Sequence, residues 1–415
     1  MVKSQSRYYP WMVVCLLWVV ALLNYMDRQM LSTMKPSMMV DIAELQTATN
    51  FGKLMAIFLW IYAFVSPFAG MIADKLSRKW LIVGSLFVWS AVTLTMGYAR
   101  TFDQLYWLRA LMGLSEALYI PAGLSLIADY HQSKTRSLAI GIHMTGLYMG
   151  QALGGFGATI ATKFSWQSAF HSFGIIGIIY SVVLILFLRD KIHAKEIEQG
   201  DTIGSRPSIF KGLGLLFSNI AFWIILLYFA VPSVPGWGIK NWLPTLFAEN
   251  LGINMSEAGP LSTITIAASS FLGVIFGGSL SDRWVQKNLK GRIYTSAIGL
   301  SLTIPALLLI GYGHTLFNVI AAAFLFGFGF GMFDANNMPI LCQFVSSKYR
   351  ATAYGLMNMT GVLAGALITD FLGKSMDAGN LGKSFAMLSV IVLVALGIQL
   401  LFLRPKTNDF DALQH

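Results

Sequence analysis

Gly70-Met71-Ile72-Ala73-Asp74-Lys75-Leu76-Ser77-Arg78-Lys79 joins two apolar stretches and returns 208 positions later as Gly278-Ser279-Leu280-Ser281-Asp282-Arg283, again at the end of an apolar stretch. Two further landmarks repeat in the same order. Glu116 stands five residues before Pro121 as Asp334 stands five before Pro339, and Lys134-Thr135-Arg136 corresponds to Lys348-Tyr349-Arg350. Each basic triplet is followed five residues on by a glycine, Gly141 or Gly355, and then by Met-Thr-Gly. Three landmarks at offsets of 208 to 218 mark a chain built from two copies of one design. Parallel repeats in a membrane protein put a binding site near the bilayer midplane between the copies, and rocking of one copy on the other exposes it alternately to each side.

The sequence around these landmarks is apolar. Hydrophobic residues make up 56% of the 415 and charged residues 12%, where a soluble domain carries roughly 25% charge. About 20 apolar residues in a helix rising 1.5 Å each cross the hydrocarbon core. Twelve stretches have that length, approximately 11 to 33, 51 to 73, 80 to 99, 105 to 127, 137 to 160, 168 to 188, 219 to 248, 258 to 281, 293 to 312, 317 to 340, 351 to 373 and 384 to 403. The pattern predicts an all-α membrane protein of twelve transmembrane helices in two six-helix bundles. Residues 1–188 make the first bundle, 189–218 a charged cytoplasmic linker, 219–403 the second bundle and 404–415 a cytoplasmic tail.

The net charge of +10 follows topology and is not gathered into a nucleic-acid-binding face. With the N-terminus in the cytoplasm, twenty lysines and arginines fall on the cytoplasmic side, and only Lys35, Lys53, Arg100, Lys163, Lys374 and Lys383 on the other, as the positive-inside rule requires. Both termini are therefore expected in the cytoplasm, with the chain in a bacterial inner (plasma) membrane. The first stretch holds Asn24, Asp27 and Arg28 and no small-residue cleavage site, so it reads as a retained helix. Cys15 and Cys342 offer no disulfide framework and no metal-ligand spacing. No nucleophile with a base, metal cluster or phosphate loop stands out, which argues against an enzyme and against a cofactor. Tyr8, Tyr9, Trp11, Trp80, Trp107 and Trp166 fall near helix ends and read as interfacial anchors.

The Gly-x-x-x-Asp-x-x-x-Arg-Lys loop resembles the signature loop of the major facilitator superfamily, and the resemblance covers essentially the whole chain. It implies a major facilitator fold with a cytoplasmic gate formed by Gly70, Asp74 and Arg78 in the first copy and by Asp282 and Arg283 in the second. Its contacts would break when the inner side opens. The second copy departs from the pattern in a longer basic loop that ends at Arg292. For Arg78 and Lys79 a plain role as positive-inside charges weighs equally, whereas acidic residues such as Asp74 add little to orientation.

A charged residue at mid-helix costs about 2.5–3.5 kcal/mol on insertion scales, and the first copy has four. Its first stretch carries Asn24-Tyr25-Met26-Asp27-Arg28, and its fourth carries Arg109 and Glu116. Seven residues turn an ideal helix through about 700°, so Arg109 and Glu116 share a face about 10 Å apart along the axis. They cannot pair with each other, and each needs a partner from another helix. The reversed direction of the fourth helix brings Arg109 close in depth to Asp27 and Arg28. Burial disfavours an ionised carboxylate and a nearby guanidinium favours it, so small rearrangements move a proton on or off. An arginine deprived of its counter-charge then takes a substrate carboxylate through a bidentate pair. The plain alternative is a set of ion pairs that fixes the first helix to the fourth.

Asn-Tyr-x-Asp-Arg, the arginine and glutamate seven apart, and Glu116-Ala117-x-x-x-Pro121-Ala122 together resemble the anion:cation symporter family, which includes transporters of hexuronates, aldonates and sialic acid. The resemblance implies that Arg28 binds the substrate carboxylate, that Tyr25 and Tyr62 line the site, that Asp27 and Glu116 carry protons, and that Arg109 is their coupling partner. The helix 1 motif also looks like that of spinster-type lysolipid transporters; Pro121 favours the former. In the tenth stretch Asp334, Asn336 and Asn337 lie in a glycine-rich run where an amide would suit substrate hydroxyls, and the family's asparagine there matches either Asn336 or Asn337. The seventh stretch is expected to be interrupted at Pro232, Pro235, Gly236 and Gly238, as in the broken helices of binding segments. Lys240 beyond them is either a second anion ligand or a charge snorkelling to the outer interface. His143 reads as a proton relay or a hydrogen-bonded core histidine, and Gln151 similarly. The sequence thus points to a monomer that carries a small organic anion, a sugar acid, together with a proton. Spinster-like lysolipid transport and a sensor that has lost translocation are the alternatives.

Overall fold

A computed structural model describes residues 8–131, 133–190, 213–214, 216–346 and 349–407, and these hold helices and no strand. Hydrocarbon offers no water to an unpaired amide, so a long apolar run closes its hydrogen bonds within itself. The first set of helices is α1 (Tyr9–Asp41), α2 (Ala48–Lys75), α3 (Arg78–Met96), α4 (Phe102–Glu116), α5 (Tyr119–Tyr130), α6 (Ser133–Gly154), α7 (Gly157–Lys163) and α8 (Trp166–Phe187). The second set is α9 (Ile220–Leu251), α10 (Met255–Val285), α11 (Gly291–Tyr312), α12 (Leu316–Asp334), α13 (Asn337–Phe344), α14 (Arg350–Asp377) and α15 (Leu381–Phe402). Among the described residues eleven spans are long and apolar enough to cross a membrane, counting α4 with α5 and α12 with α13. The twelfth expected span is the pair α6 and α7, which falls outside that count. Most of the expected linker, residues 191–212, lies outside the described residues, as does the tail beyond 407.

Two spans break at the repeated acidic residue. α4 ends on Glu116 and α12 on Asp334, and each chain resumes three residues later. Pro121 and Pro339 lack the amide hydrogen that would close the helix onto Ala117 and Ala335, so the turn just after each carboxylate is released. The seventh span behaves differently from its expectation. α9 runs unbroken from Ile220 to Leu251 with Pro232, Pro235 and Pro244 inside it. A proline costs one helical bond, and a helix tolerates it where the freed carbonyl finds another donor.

Among the described residues, hydrogen bonds between the two sets gather at the face opposite the termini. Gln29 Nε2 donates to Lys240 O at 3.0 Å, Thr159 Oγ1 to Ser256 O at 2.9 Å and Thr263 Oγ1 to Ala152 O at 3.1 Å. Asp377 at the end of α14 accepts from Ala48 N, Thr49 N and Thr49 Oγ1 at 2.7, 2.8 and 2.6 Å, capping the N-terminus of α2. Gly155 and Gly259 let α10 approach the α6–α7 break: a Cβ on Gly259 would lie 2.5 Å from Gly155 O. The far face is therefore closed. Midway toward the other face, Asn358 Nδ2 donates to Ser66 Oγ at 3.2 Å.

Among the aromatic residues assigned to the interface, Tyr8, Trp80 and Trp107 are exposed, but Trp166 is buried. Its indole Nε1 donates to Asp41 Oδ2 at 2.7 Å, so it ties α8 to the end of α1 and is not an anchor in the headgroups.

Candidate functional site

α1 carries Arg28 into the centre of the first set. Arg28 Nε donates to Glu116 Oε2 at 2.5 Å, and the guanidinium carbon lies 5.1, 4.9 and 4.8 Å from the ring centroids of Tyr25, Phe58 and Tyr62. A desolvated cation gains about 2 kcal/mol from such a ring face, so three rings hold the charge where hydrocarbon would reject it. Glu116 is fully buried, and its Oε2 also accepts from Asn24 Nδ2 at 3.0 Å. Because α4 stops at Glu116, this carboxylate sits at a helix end next to α1. Arg109, about two turns earlier, stacks 4.6 Å from the same Phe58 ring. Gly113 permits this, since a Cβ there would lie 2.5 Å from the Phe58 carbonyl oxygen.

Arg28 and Glu116 pair across the α1–α4 contact; Asp27 and Arg109 do not pair with each other. Asp27 turns toward α3, where Thr93 Oγ1 donates a long hydrogen bond of 3.5 Å to its Oδ2. It remains within electrostatic reach of Glu116 and Arg109. Arg109 Nη1 meets Met112 Sδ at 3.2 Å. Arg28 Nη2, Asn24 Oδ1, Asp27 Oδ1, Arg109 Nε and Glu116 Oε1 are buried without a hydrogen-bond partner among the described residues. Each such atom costs about 1–3 kcal/mol, a large sum for a cluster with no role beyond packing.

Beside this cluster, between the two sets, lies a cavity of about 70 Å³. Tyr25, Tyr148, Gln151, Lys240 and Asp334 give its wall polar groups, with Met144, Ile266, Phe326 and Phe330 among the apolar ones. Tyr25 belongs to both: it forms part of the wall and of the cage around Arg28. Arg28, Tyr62, Asp27, Arg109 and Glu116 stand outside the lining. Lys240 is on the wall and not at the outer interface, with its Nζ 4.9 Å from the Trp237 ring centroid. Asn336 and Asn337 are buried away from the cavity. Asn336 Nδ2 donates to Met332 O at 2.8 Å, while Asn337 donates to Asp334 Oδ1 at 3.0 Å and accepts from Tyr228 OH at 3.2 Å. Asn337 thus orients Asp334, the residue that does face the cavity. His143 is buried edge-on to Tyr119, and neither ring nitrogen has a hydrogen-bond partner among the described residues.

At the face bearing the termini, the side chains of Gly70 and Asp74 lie outside the described residues. Arg78 forms a close ion pair with Asp129 and also donates to Ser125 O at 3.4 Å. Asp190 accepts from Lys79 N at 2.8 Å and closely from Ser77 Oγ. These contacts all lie within the first set. In the second set Arg292 approaches Asp282 at 4.0 Å and donates to Pro339 O at 3.1 Å. Arg292, not the exposed Arg283, therefore stands where Arg78 stands, because the second loop is six residues longer.

The Major Facilitator Superfamily profile matches residues 17–369. The hexuronate transporter of Escherichia coli (strain K12) is 26% identical over 408 residues, covering 92% of this chain and 91% of that protein. The probable galactarate/D-glucarate transporter GarP of the same organism is 22% identical over 427 residues, covering 94% of each. The chloroplastic ascorbate transporter of Arabidopsis thaliana is 24% identical over 397 residues, covering 91% of this chain and 73% of that protein. Among solved structures, a bacterial homologue of the human lysosomal transporter Spinster superposes with a TM-score of 0.79 at 20% identity, covering 96% of this chain and 97% of that one.

Proposed function

The chain belongs to the major facilitator superfamily and is a multi-pass membrane transporter, and from that premise we propose that it carries an organic anion of the sugar-acid class in symport with a proton. The observation that carries the reading is the Arg28–Glu116 pair inside its cage of rings. Protonation of Glu116 removes the counter-charge from Arg28 without moving the guanidinium, whose planar fork matches a carboxylate. Tyr25 links that guanidinium to the cavity, so a substrate carboxylate entering from the cavity reaches Arg28 past one ring. Asp27, held near Arg109 and Glu116, receives or supplies the proton as the cluster changes charge. Sugar acids fit because a carboxylate joins several hydroxyls, and the wall offers Tyr25, Tyr148, Gln151 and Lys240 to them. The curated relatives, described as transporters of hexuronate, galactarate/D-glucarate and ascorbate, support the same class.

Translocation proceeds by rocking of the first six spans on the last six. The far face, closed in this structure by Gln29, Thr159, Thr263 and Asp377, opens while the face with the signature loops closes. Asp74 and Arg78 with Asp282 and, in the place first expected of Arg283, Arg292 act at that second closure. The protein works as a monomer in the plasma membrane with both termini in the cytoplasm, where the positive charge is concentrated. Purified protein in proteoliposomes tests the reading: D-glucuronate accumulates under an inward proton gradient and not without it. Uptake indifferent to the gradient would remove proton coupling, and no uptake of any sugar acid would remove the substrate class.

A further inference from the structure

We infer that Lys240 and Asp334 form a second anion subsite on the C-terminal half, so that the preferred substrate is a sugar diacid with one carboxylate directed to each half. The inference rests on the carboxylate reading of Arg28 above and extends it to the other end of the substrate.

The two halves carry the same parts. Each first span has a cation three residues after an aromatic, with the charge over that ring: Arg28 at 5.1 Å from Tyr25, Lys240 at 4.9 Å from Trp237. Each fourth span stops on a carboxylate five residues before a proline, Glu116 and Asp334. The states of the two pairs differ. Arg28 and Glu116 are closed on each other at 2.5 Å. Lys240 and Asp334 both face the cavity, and neither has an ion-pair partner within 4.0 Å among the described residues. Asn337 fixes Asp334 by one oxygen, and Asn337 is itself held by Tyr228. Lys240 is thus a cation on the cavity wall whose charge is not consumed, within electrostatic reach of both Asp334 and Arg28.

Charge sets the ligand. Arg28, Arg109 and Lys240 against Asp27, Glu116 and Asp334 sum to zero, so a dianion is carried without net cavity charge when two protons from the aqueous phase load Glu116 and Asp334. Each protonation then exposes one cation to one carboxylate. A monoanion uses only the Arg28 end and leaves Lys240 facing hydroxyls, for which an ammonium has no special preference over water.

D-glucarate and D-gluconate share a six-carbon chain of hydroxyls and differ in whether the second end is a carboxylate. Their dissociation constants for the purified protein, measured by calorimetry, give a selectivity ratio that a general loss of folding does not change. The parent is expected to bind D-glucarate at least tenfold more tightly. Lys240→Gln brings that ratio close to one, Lys240→Arg preserves it, and Asp334→Asn raises it by removing the competing carboxylate. Equal affinities in the parent, a ratio unchanged by Lys240→Gln, or a ratio lowered by Asp334→Asn would each overturn the subsite. D-gluconate binding with no preference for D-glucarate ends this inference alone; binding of neither acid ends the carboxylate reading of Arg28 with it.

Discussion

Gln29 Nε2 donates 3.0 Å to the carbonyl oxygen of Lys240, the oxygen that Pro244 leaves without its helical donor. Thr159 does the same for Ser256, four residues before Pro260. In both cases a proline in one half prepares an acceptor for a side chain of the other, so closure of the far face relieves a polar atom that the helix itself cannot serve. Under the rocking motion proposed above, each such bond is made with the far face closed and broken when it opens, which is what a gate contact requires.

Gln29→Leu should therefore open the far face. Leaving a buried acceptor unserved costs about 1–3 kcal/mol, which lowers the closed population relative to the open one roughly five- to 150-fold. Spin labels at Thr47 and Ala378, read by pulsed electron resonance, should report a longer distance distribution than in the parent. An unchanged distribution would reduce this bond to a bystander.

Asp377 makes a second, independent latch. Its carboxylate receives two amides and a hydroxyl at the start of α2, where the helix dipole favours negative charge. The site is exposed, so Asp377→Ala should cost toward the lower end of the cap range, about 0.5–1 kcal/mol. The same label pair should show a shift of roughly two- to fivefold in population, smaller than for Gln29→Leu. Asp377→Glu, too long to serve both amides, should fall between the parent and the alanine variant.

The spans were legible because apolar length is a local property, but the breaks after Glu116 and Asp334 interrupt stretches expected to be continuous, the spacing to Pro121 and Pro339 having marked only the repeat. The seventh span runs through Pro232, Pro235, Gly236 and Gly238, where an interruption is expected: each proline removes one helical hydrogen bond without forcing a break, and at Pro244 of the same helix the freed carbonyl of Lys240 is served from the other half. The donor for Lys240 O is Gln29, 211 residues away. Sequence alone makes Trp166 an anchor for a similar reason: only the folded α1–α8 contact brings Asp41 to its indole. Asn336 and Asn337 stand out as polar residues in an apolar run, yet neither lines the cavity: Asn336 is spent on Met332 O, and Asn337 holds Asp334, which does line it. That residue was signalled by the repeat, which sets it where Glu116 stands.

Charge placement predicts the orientation of the chain. With Cys15 and Cys342 replaced by serine, single cysteines at Arg136 and Lys290 should react with an impermeant maleimide only from the cytoplasm. Cysteines at Lys53 and Lys383 should react only from outside. A reversed pattern at any of the four would overturn the assignment of sides.

The roles of Arg28 and Glu116 separate by substitution although the two groups touch. Arg28→Lys keeps a positive charge but loses the planar fork and much of the stacking on Tyr25, Phe58 and Tyr62. Binding of the sugar acid should weaken about tenfold to a hundredfold, a loss of roughly 1.4–2.7 kcal/mol. Glu116→Gln imitates the protonated carboxyl and leaves Arg28 without its counter-charge, so binding should persist. Because the glutamine releases no proton, accumulation of a monoanionic sugar acid such as D-glucuronate, which uses only the Arg28 end, should vanish under a proton gradient while exchange of labelled for unlabelled substrate continues. If Arg28→Lys binds as the parent does, the guanidinium is not the carboxylate ligand. If Glu116→Gln still concentrates substrate, the proton travels through another group, and Asp27, which faces Thr93 beside the same cluster, becomes the residue to change next.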